Sequence, residues 1–164
     1  MGAFASWWIY TRTNNGELAR GVFFFFLMEA LQFLQYFVIA DDIDSPQCDS
    51  PVNRFLTLLG FLHICLQPYF CHSINASLTR SEKYKWQYRV IKRLCLIGGL
   101  LLFARYWIAP WFTTMDVSDF KSTEWLRGEK LCTFNGKYHL AWSVPMADPT
   151  YYVVRGNSCT AFVV

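Results

Sequence analysis

Charge is what this sequence has least of. Asp, Glu, Lys and Arg make up 16% of its 164 residues, and apolar residues 54%, where a soluble domain carries about 25% charge. So large a shortfall argues against a water-facing globule and points to helices that meet lipid. The cations are too few for a nucleic-acid groove as well. The net charge is +3, with most basic residues gathered in one connection, so nucleic acid is not expected as a partner. Histidine occurs three times, and neither CxxC nor HxxxH spacing is present, which removes the familiar zinc motifs. No repeat, low-complexity tract or reaction-specific motif stands out. Nor does a secretory signal, because the first long apolar run is followed by Asp41 and Asp42 rather than a small-residue cleavage site.

Against these absences stand three apolar runs, 21–40, 55–74 and 94–112. At about 1.5 Å per residue each can cross a hydrocarbon core of about 30 Å as a helix. Phe23 to Phe26 is apolar on all sides, as a lipid-facing helix must be. Pro68 is expected to kink or open the second helix. Gly98 and Gly99 in the third suit close helix approach. Arg105, beside Tyr106, Trp107 and Trp111, is expected to snorkel to the headgroups in an aromatic belt. The expected fold is therefore an all-α membrane protein with about three transmembrane helices. It divides into an N-terminal interfacial segment, 1–20, a membrane region, 21–112, and an extramembrane segment, 113–164.

Orientation follows from the loops. Arg80, Lys83, Lys85, Arg89, Lys92 and Arg93 face a single Glu82 between the second and third runs, which places 75–93 on the cytoplasmic-type side with the N-terminus. The connection 41–52 holds four Asp and no cation and is expected on the opposite side with the C-terminal segment. In that segment Asn135-Gly136 predicts a hairpin between Leu131–Phe134 and Lys137–Trp142. Irregular loops broken by Pro145, Pro149 and Gly156 follow, held on the outer membrane surface by Trp125, Tyr138, Trp142, Tyr151 and Tyr152. Met1-Gly2 followed by Ser6 also fits a myristoylation pattern.

Six cysteines divide by side. Cys65, Cys71 and Cys95 lie in or near apolar runs and read as small hydrophobes. Cys48, Cys132 and Cys159 fall on the outer side, where an oxidising compartment permits a bridge. Cys48 with Cys132 is the expected pair, since Cys48 is pinned between two helix ends and Cys159 follows Gly156 and Asn157 in a tail-like stretch. Three reduced thiols are the competing state.

Inside the first run, Glu29, Gln32, Gln35 and Tyr36 fall within about 120° of one another on a helix. His63 and Gln67 share a face of the second, with His72 beyond Pro68. Depth arithmetic for antiparallel helices pairs Glu29 with Gln67 and Gln32 with His63. Such a cluster reads first as interhelical hydrogen bonding. A metal site of Glu29, His63 and His72 is the alternative, disfavoured by spacing that matches no familiar motif.

The strings LMEALQFLQYFVI, QCDSPVNRFLTLLGFLHICLQPYF and LCTFNGKYHLAWSVP resemble the DUF5765 family of multi-pass membrane proteins, over roughly residues 21–152. The resemblance implies a membrane protein and carries no catalytic residue. It also implies a full membrane helix at the start and more helices later, so the chain is expected to be a shortened member or incomplete at both ends. The function expected from all of this is structural or interaction-based, an accessory subunit of a larger membrane assembly. Its partners are the bilayer and other membrane-protein subunits; no cofactor is expected, and a bound lipid is the associated small molecule the composition allows. An intramembrane metal-dependent lipid hydrolase using the Glu/His cluster is the rival.

Overall fold

The computed structural model describes residues 2–108, 130–136 and 139–145. Among them the chain is mostly helical, with four helices and one small two-stranded sheet. Helix α1 spans Gly2–Thr13, α2 Gly16–Gln35, α3 Pro51–Leu78 and α4 Glu82–Ile108; strands β1, Cys132–Asn135, and β2, Leu140–Ser143, form an antiparallel pair. Trp111, Trp125, Tyr138, Pro149, Tyr151, Tyr152, Gly156, Cys159 and Met1 lie outside the described residues.

Local chemistry sets the boundaries. Asn14 takes a left-handed φ of 50°, which asparagine tolerates, and its N–H donates to Tyr10 O at 3.0 Å, closing α1. Asn15 then caps α2, its side chain accepting from Leu18 N at 3.1 Å. Two residues thus turn the chain back on itself, so that within the N-terminal segment Gly2–Thr13 forms a helix laid antiparallel on α2. Ser6 Oγ donates to Ala19 O at 2.7 Å across that contact. Pro51 opens α3, where a missing N–H costs nothing. The helix is continuous through Pro68, where a kink or opening was expected.

One further expectation needs correction, and another is met only in part. The residues read as a loop, 75–93, are almost entirely helical: α3 runs to Leu78 and α4 starts at Glu82, so the basic cluster decorates the first turns of α4. Of the three expected crossings, one helix among the described residues, α3, is long and apolar enough to cross a membrane. The twenty residues of α2 contain Glu17, Arg20 and Glu29. In α4 the charges continue to Arg93, and the description of the apolar half ends at Ile108.

Helix α3 is central, packed against α2 on one side and α4 on the other, while α1 packs on α2. Gly21 faces Ile74 and Gly60 faces Gln35, which fixes the antiparallel register of α2 and α3. Phe24 stacks between His63 and Phe70, ring centroids 3.7 and 3.9 Å away. At the end where α2 begins, Asn15 Nδ2 donates to Ser77 O at 3.3 Å, and Lys92 is ion-paired with Glu17. The sheet caps the other end. Its register sets Cys132 against Ser143 and Asn135 against Leu140, so Asn135 is still paired strand rather than part of a two-residue turn, and the Gly136 N–H donates to His139 O at 3.0 Å. No glycine here has the positive φ that a two-residue Asn-Gly turn needs. Val144 is buried with Phe61 and Cys65 of α3 and Leu102, Phe103 and Tyr106 of α4.

The paired glycines have opposite roles. A Cβ on Gly99 would fall on the Cys65 carbonyl oxygen of α3, a backbone atom that cannot swing aside, whereas Gly98 has nothing within 4 Å. Gly99→Ala is expected to destabilise the purified protein by about 1–3 kcal/mol in thermal unfolding, the usual range for overpacking. Gly98→Ala should be neutral or stabilising by up to about 1 kcal/mol, from helix propensity alone. Equal effects at both positions would reject this packing of α3 on α4.

Candidate functional site

A tight turn and a short 3-10 helix, Pro46–Asp49, lead from α2 to α3. Along this path Ala40 exchanges two backbone hydrogen bonds with β1: its N–H donates to Thr133 O at 3.2 Å, and its carbonyl accepts from Asn135 N at 2.8 Å. The connection therefore lies against the hairpin as a third, one-residue strand. Alternation along β1 then sends its side chains two ways. Cys132 and Phe134 join Ala40, Cys48 and Ala141 in a small apolar core, and Thr133 points to the helices.

Thr133 enters a fully buried polar group with Gln35, Asn53 and Thr57, each 0% exposed. Asn53 grips the strand backbone at both faces of its amide: Nδ2 donates to Thr133 O at 2.8 Å, and Thr133 N donates to Oδ1 at 2.9 Å. The same Nδ2 donates to Val38 O at 2.8 Å. Gln35 Nε2 donates to Leu56 O at 3.1 Å and to Thr133 Oγ1 at 3.3 Å. The Thr133 and Thr57 hydroxyls lie 2.8 Å apart, and Thr57 Oγ1 donates on to Asn53 O at 2.8 Å. One consistent set of protons runs from the Gln35 amide through Thr133 and Thr57 to the Asn53 carbonyl. None of these four side chains titrates near neutrality, so the group offers no general acid or base; what it supplies is position.

Close by, Cys48 and Cys132 form a disulfide with Cα atoms 5.1 Å apart. Lys130 pairs with Asp44 at 3.5 Å and Arg54 with Asp49 at 2.5 Å. Gly60 leaves room for the knot's outer wall, since a Cβ there would meet Gln35 Nε2 and the Trp142 ring at 3.3 Å. Trp142 is thus turned inward over α3, not outward as a surface anchor. Gln35 Oε1, Trp142 Nε1 and Ser143 Oγ are buried and make no hydrogen bond among the described residues.

The residues expected to cluster are dispersed. Of Glu29, Gln32, Gln35 and Tyr36, only Gln35 is buried; Glu29 and Tyr36 are exposed and Gln32 half-buried. The register sets Glu29 near the depth of Gln67, but helical phase turns both outward, and Gln67 is exposed. His63 is buried against Phe24, its Nε2 without a hydrogen bond, so Gln32 does not hold it. His72 lies near the Tyr88 ring, centroids 6.0 Å apart. Among the described residues no set of three His, Cys, Asp or Glu comes together as metal ligands, so Glu29, His63 and His72 do not form the proposed metal site. Cys65, Cys71 and Cys95 are free, Cys65 buried.

Asn53, Thr57 and Thr133 escaped the sequence reading. Counting the second apolar run from Phe55 left Asn53 outside the helix, yet Asn53 and Thr57 are four residues apart, one turn along one face. Thr133 was hidden beside Cys132, which drew the attention to itself.

A family described as "Family of unknown function (DUF5765)" matches residues 1–162 of this sequence, and the chain belongs to that family. No curated protein and no solved structure matches it.

Removing the Asn53 amide takes the partner from the Thr133 N–H and from the Val38 carbonyl, while the Thr133 carbonyl keeps its bond from Ala40 N; each unsatisfied buried group costs about 1–3 kcal/mol. Asn53→Leu should lower stability by about 2–6 kcal/mol, and Thr57→Val by less, about 1–2 kcal/mol. Denaturant unfolding measures both, and a neutral Asn53→Leu would show that the hairpin is held by something else. Non-reducing peptide mapping should recover Cys48 and Cys132 as one linked pair. Closing a loop of 84 residues contributes about 4–5 kcal/mol by chain entropy, so Cys48→Ser should show a loss of that order.

Proposed function

We propose that this member of the family is a small multi-pass integral membrane protein of non-enzymatic type, an accessory subunit that works by packing against other membrane proteins and lipid. The observation that carries this reading is the apolar surface left uncovered by the fold. Phe23, Leu27, Phe33 and Leu34 on α2, Phe55 on α3, and Leu94, Ile97, Leu100 and Leu101 on α4 are all exposed, Leu101 by 65%. A soluble monomer rarely leaves contiguous apolar patches beyond a few hundred Å². Lipid and neighbouring helices are the solvents that such faces suit.

In this reading α2, α3 and the apolar half of α4 are the crossings. Helix α1, about 18 Å long at 1.5 Å per residue, is too short to span and lies along α2. The cationic end, with Arg12, Arg80, Lys83 and Arg93, faces the cytoplasmic-type side. The disulfide cap faces the opposite, oxidising side. Charge and redox chemistry, two unrelated considerations, favour the same orientation. The hydrogen-bonded polar group lies at the cap, and the buried His63 at mid-depth is stacked on Phe24 with no ligand set around it among the described residues, which favours an interaction role over intramembrane chemistry.

Two measurements test this. The protein should stay in the membrane fraction after alkaline carbonate washing and, solubilised, should run with a partner or as an oligomer; a solubilised monomer with nothing bound would remove the subunit reading. In sealed vesicles a membrane-impermeant thiol reagent should label Ser81→Cys only from the cytoplasmic-type side. Labelling from the disulfide side would overturn the topology.

A further inference from the structure

The first three turns of α4 meet the rest of the molecule along one face only. Tyr88, Lys92, Cys95 and Gly99 face α3, and Lys92 is committed to Glu17 of α2. On the opposite side Lys83, Trp86, Val90, Arg93, Leu94, Ile97 and Leu101 fall within about 100° of one another at 100° per residue, and all seven are exposed. This outward stripe changes character once. Up to Arg93 it carries Lys83, Trp86 and Arg93 with one aliphatic residue, Val90; from Leu94 it is purely aliphatic. Arg89 is exposed on its flank.

These cations are not used by the fold. Among the described residues Arg80, Lys83, Arg89 and Arg93 make no hydrogen bond or ion pair. Of the two carboxylates at this end, Glu17 is taken by Lys92, and Glu82 accepts from Lys85 Nζ at 2.7 Å. That bond, with the charges of Lys85 and Arg89, holds its pKa below the usual carboxylate value, so at neutral pH it is ionised and offsets one charge of the group. Arg20 adds a further exposed cation at the same end, one turn from Glu17.

We infer that the outward face of α4, Lys83, Trp86, Arg89 and Arg93, is a binding surface for anionic phospholipid headgroups. The inference rests on the membrane reading above and adds which lipids the protein selects and where. A boundary between basic-aromatic and aliphatic residues on one helix face matches the boundary between phosphate and acyl layers. Trp86 has the amphipathic ring that suits the interface. Arg89 and Arg93 can each fork two N–H donors onto a phosphate. The aliphatic continuation, Leu94, Ile97 and Leu101, gives the same lipid's chains a surface to lie on. A soluble polyanion would leave those residues without a partner, which is why a lipid is the occupant the face fits.

The test uses the full chain in nanodiscs of phosphatidylcholine and phosphatidylglycerol mixed in a known ratio. After detergent release, the lipids retained are counted by mass spectrometry. Retained phosphatidylglycerol should exceed its bulk share, each cation contributing roughly fivefold at low salt, and the excess should fall as salt rises. Lys83→Gln/Arg89→Gln/Arg93→Gln should bring it down to the bulk ratio, Arg89→Lys/Arg93→Lys should keep most of it, and Lys130→Gln at the other end should change nothing. The substituted residues are exposed, and an unchanged melting temperature shows that the triple variant is folded. Retention at the bulk ratio in the unaltered protein, or an excess that survives in the triple variant, overturns the inference while leaving the membrane reading intact. Failure of the protein to enter discs at all overturns both. Loss of binding to heparin with phosphatidylglycerol retention unchanged overturns the lipid assignment.

Discussion

One amide holds two distant parts of this chain together. Asn53 pairs with both the N–H and the carbonyl of Thr133 much as a neighbouring strand would, though it is a side chain at the start of a helix. Everything at the cap depends on that substitution of side chain for backbone. Because Asn53 fixes Thr133, the strand stands where Ala40 can join it, Cys132 comes within bonding distance of Cys48, and Val144 is delivered into the seam between α3 and α4. Replacing a hydrogen bond to water by one of these yields little net stability, yet leaving either partner alone in a buried place is costly. That asymmetry makes the arrangement specific more than strong.

The two ends of the helical layer are held by different physics. At the end near α1 the ties are a charged pair, Glu17 with Lys92, which salt screens, and a single neutral amide, Asn15 to Ser77. At the cap the buried ties are neutral or covalent, with the ion pairs of Lys130 and Arg54 at its exposed edge. The middle relies on shape: Gly21 against Ile74, Phe24 between His63 and Phe70, and Gly99 against the backbone of Cys65. The covalent tie is thereby placed at one end, and the fold leaves its unpaired cations at the other.

Much of this was legible in the residues. Apolar runs located the cores of α2 and α3, the odd cysteines pointed to the segment beyond α4, and Asn135-Gly136 marked the hairpin to within a few residues. What failed was phase and extent. A window of apolar residues cannot tell where helix continues under charge, so α4 was begun twelve residues late and Asn53 was left outside α3. Glu29 and Gln35 share an arc broad enough to suggest one face, but the stripe that packs runs through Gly21, Phe24 and Gln35, and it passes Glu29 by. Small residues chose the contact face, while the search followed polar ones. Hydrogen bonds between a side chain and a backbone 80 positions away leave no periodic trace at all.

The order of synthesis gives the Asn53 clasp a kinetic meaning. Asn53, Thr57 and Gln35 are made long before Thr133, and contacts so far apart in sequence form late because the intervening chain must first be drawn in. Through that interval the helices can assemble through their local pairings, with Gln35 already held by Leu56 O, Thr57 by Asn53 O and Asn53 by Val38 O. The side chains that will grip the strand are thus set in place by the helices first, and Thr133 arrives at a socket already shaped for it.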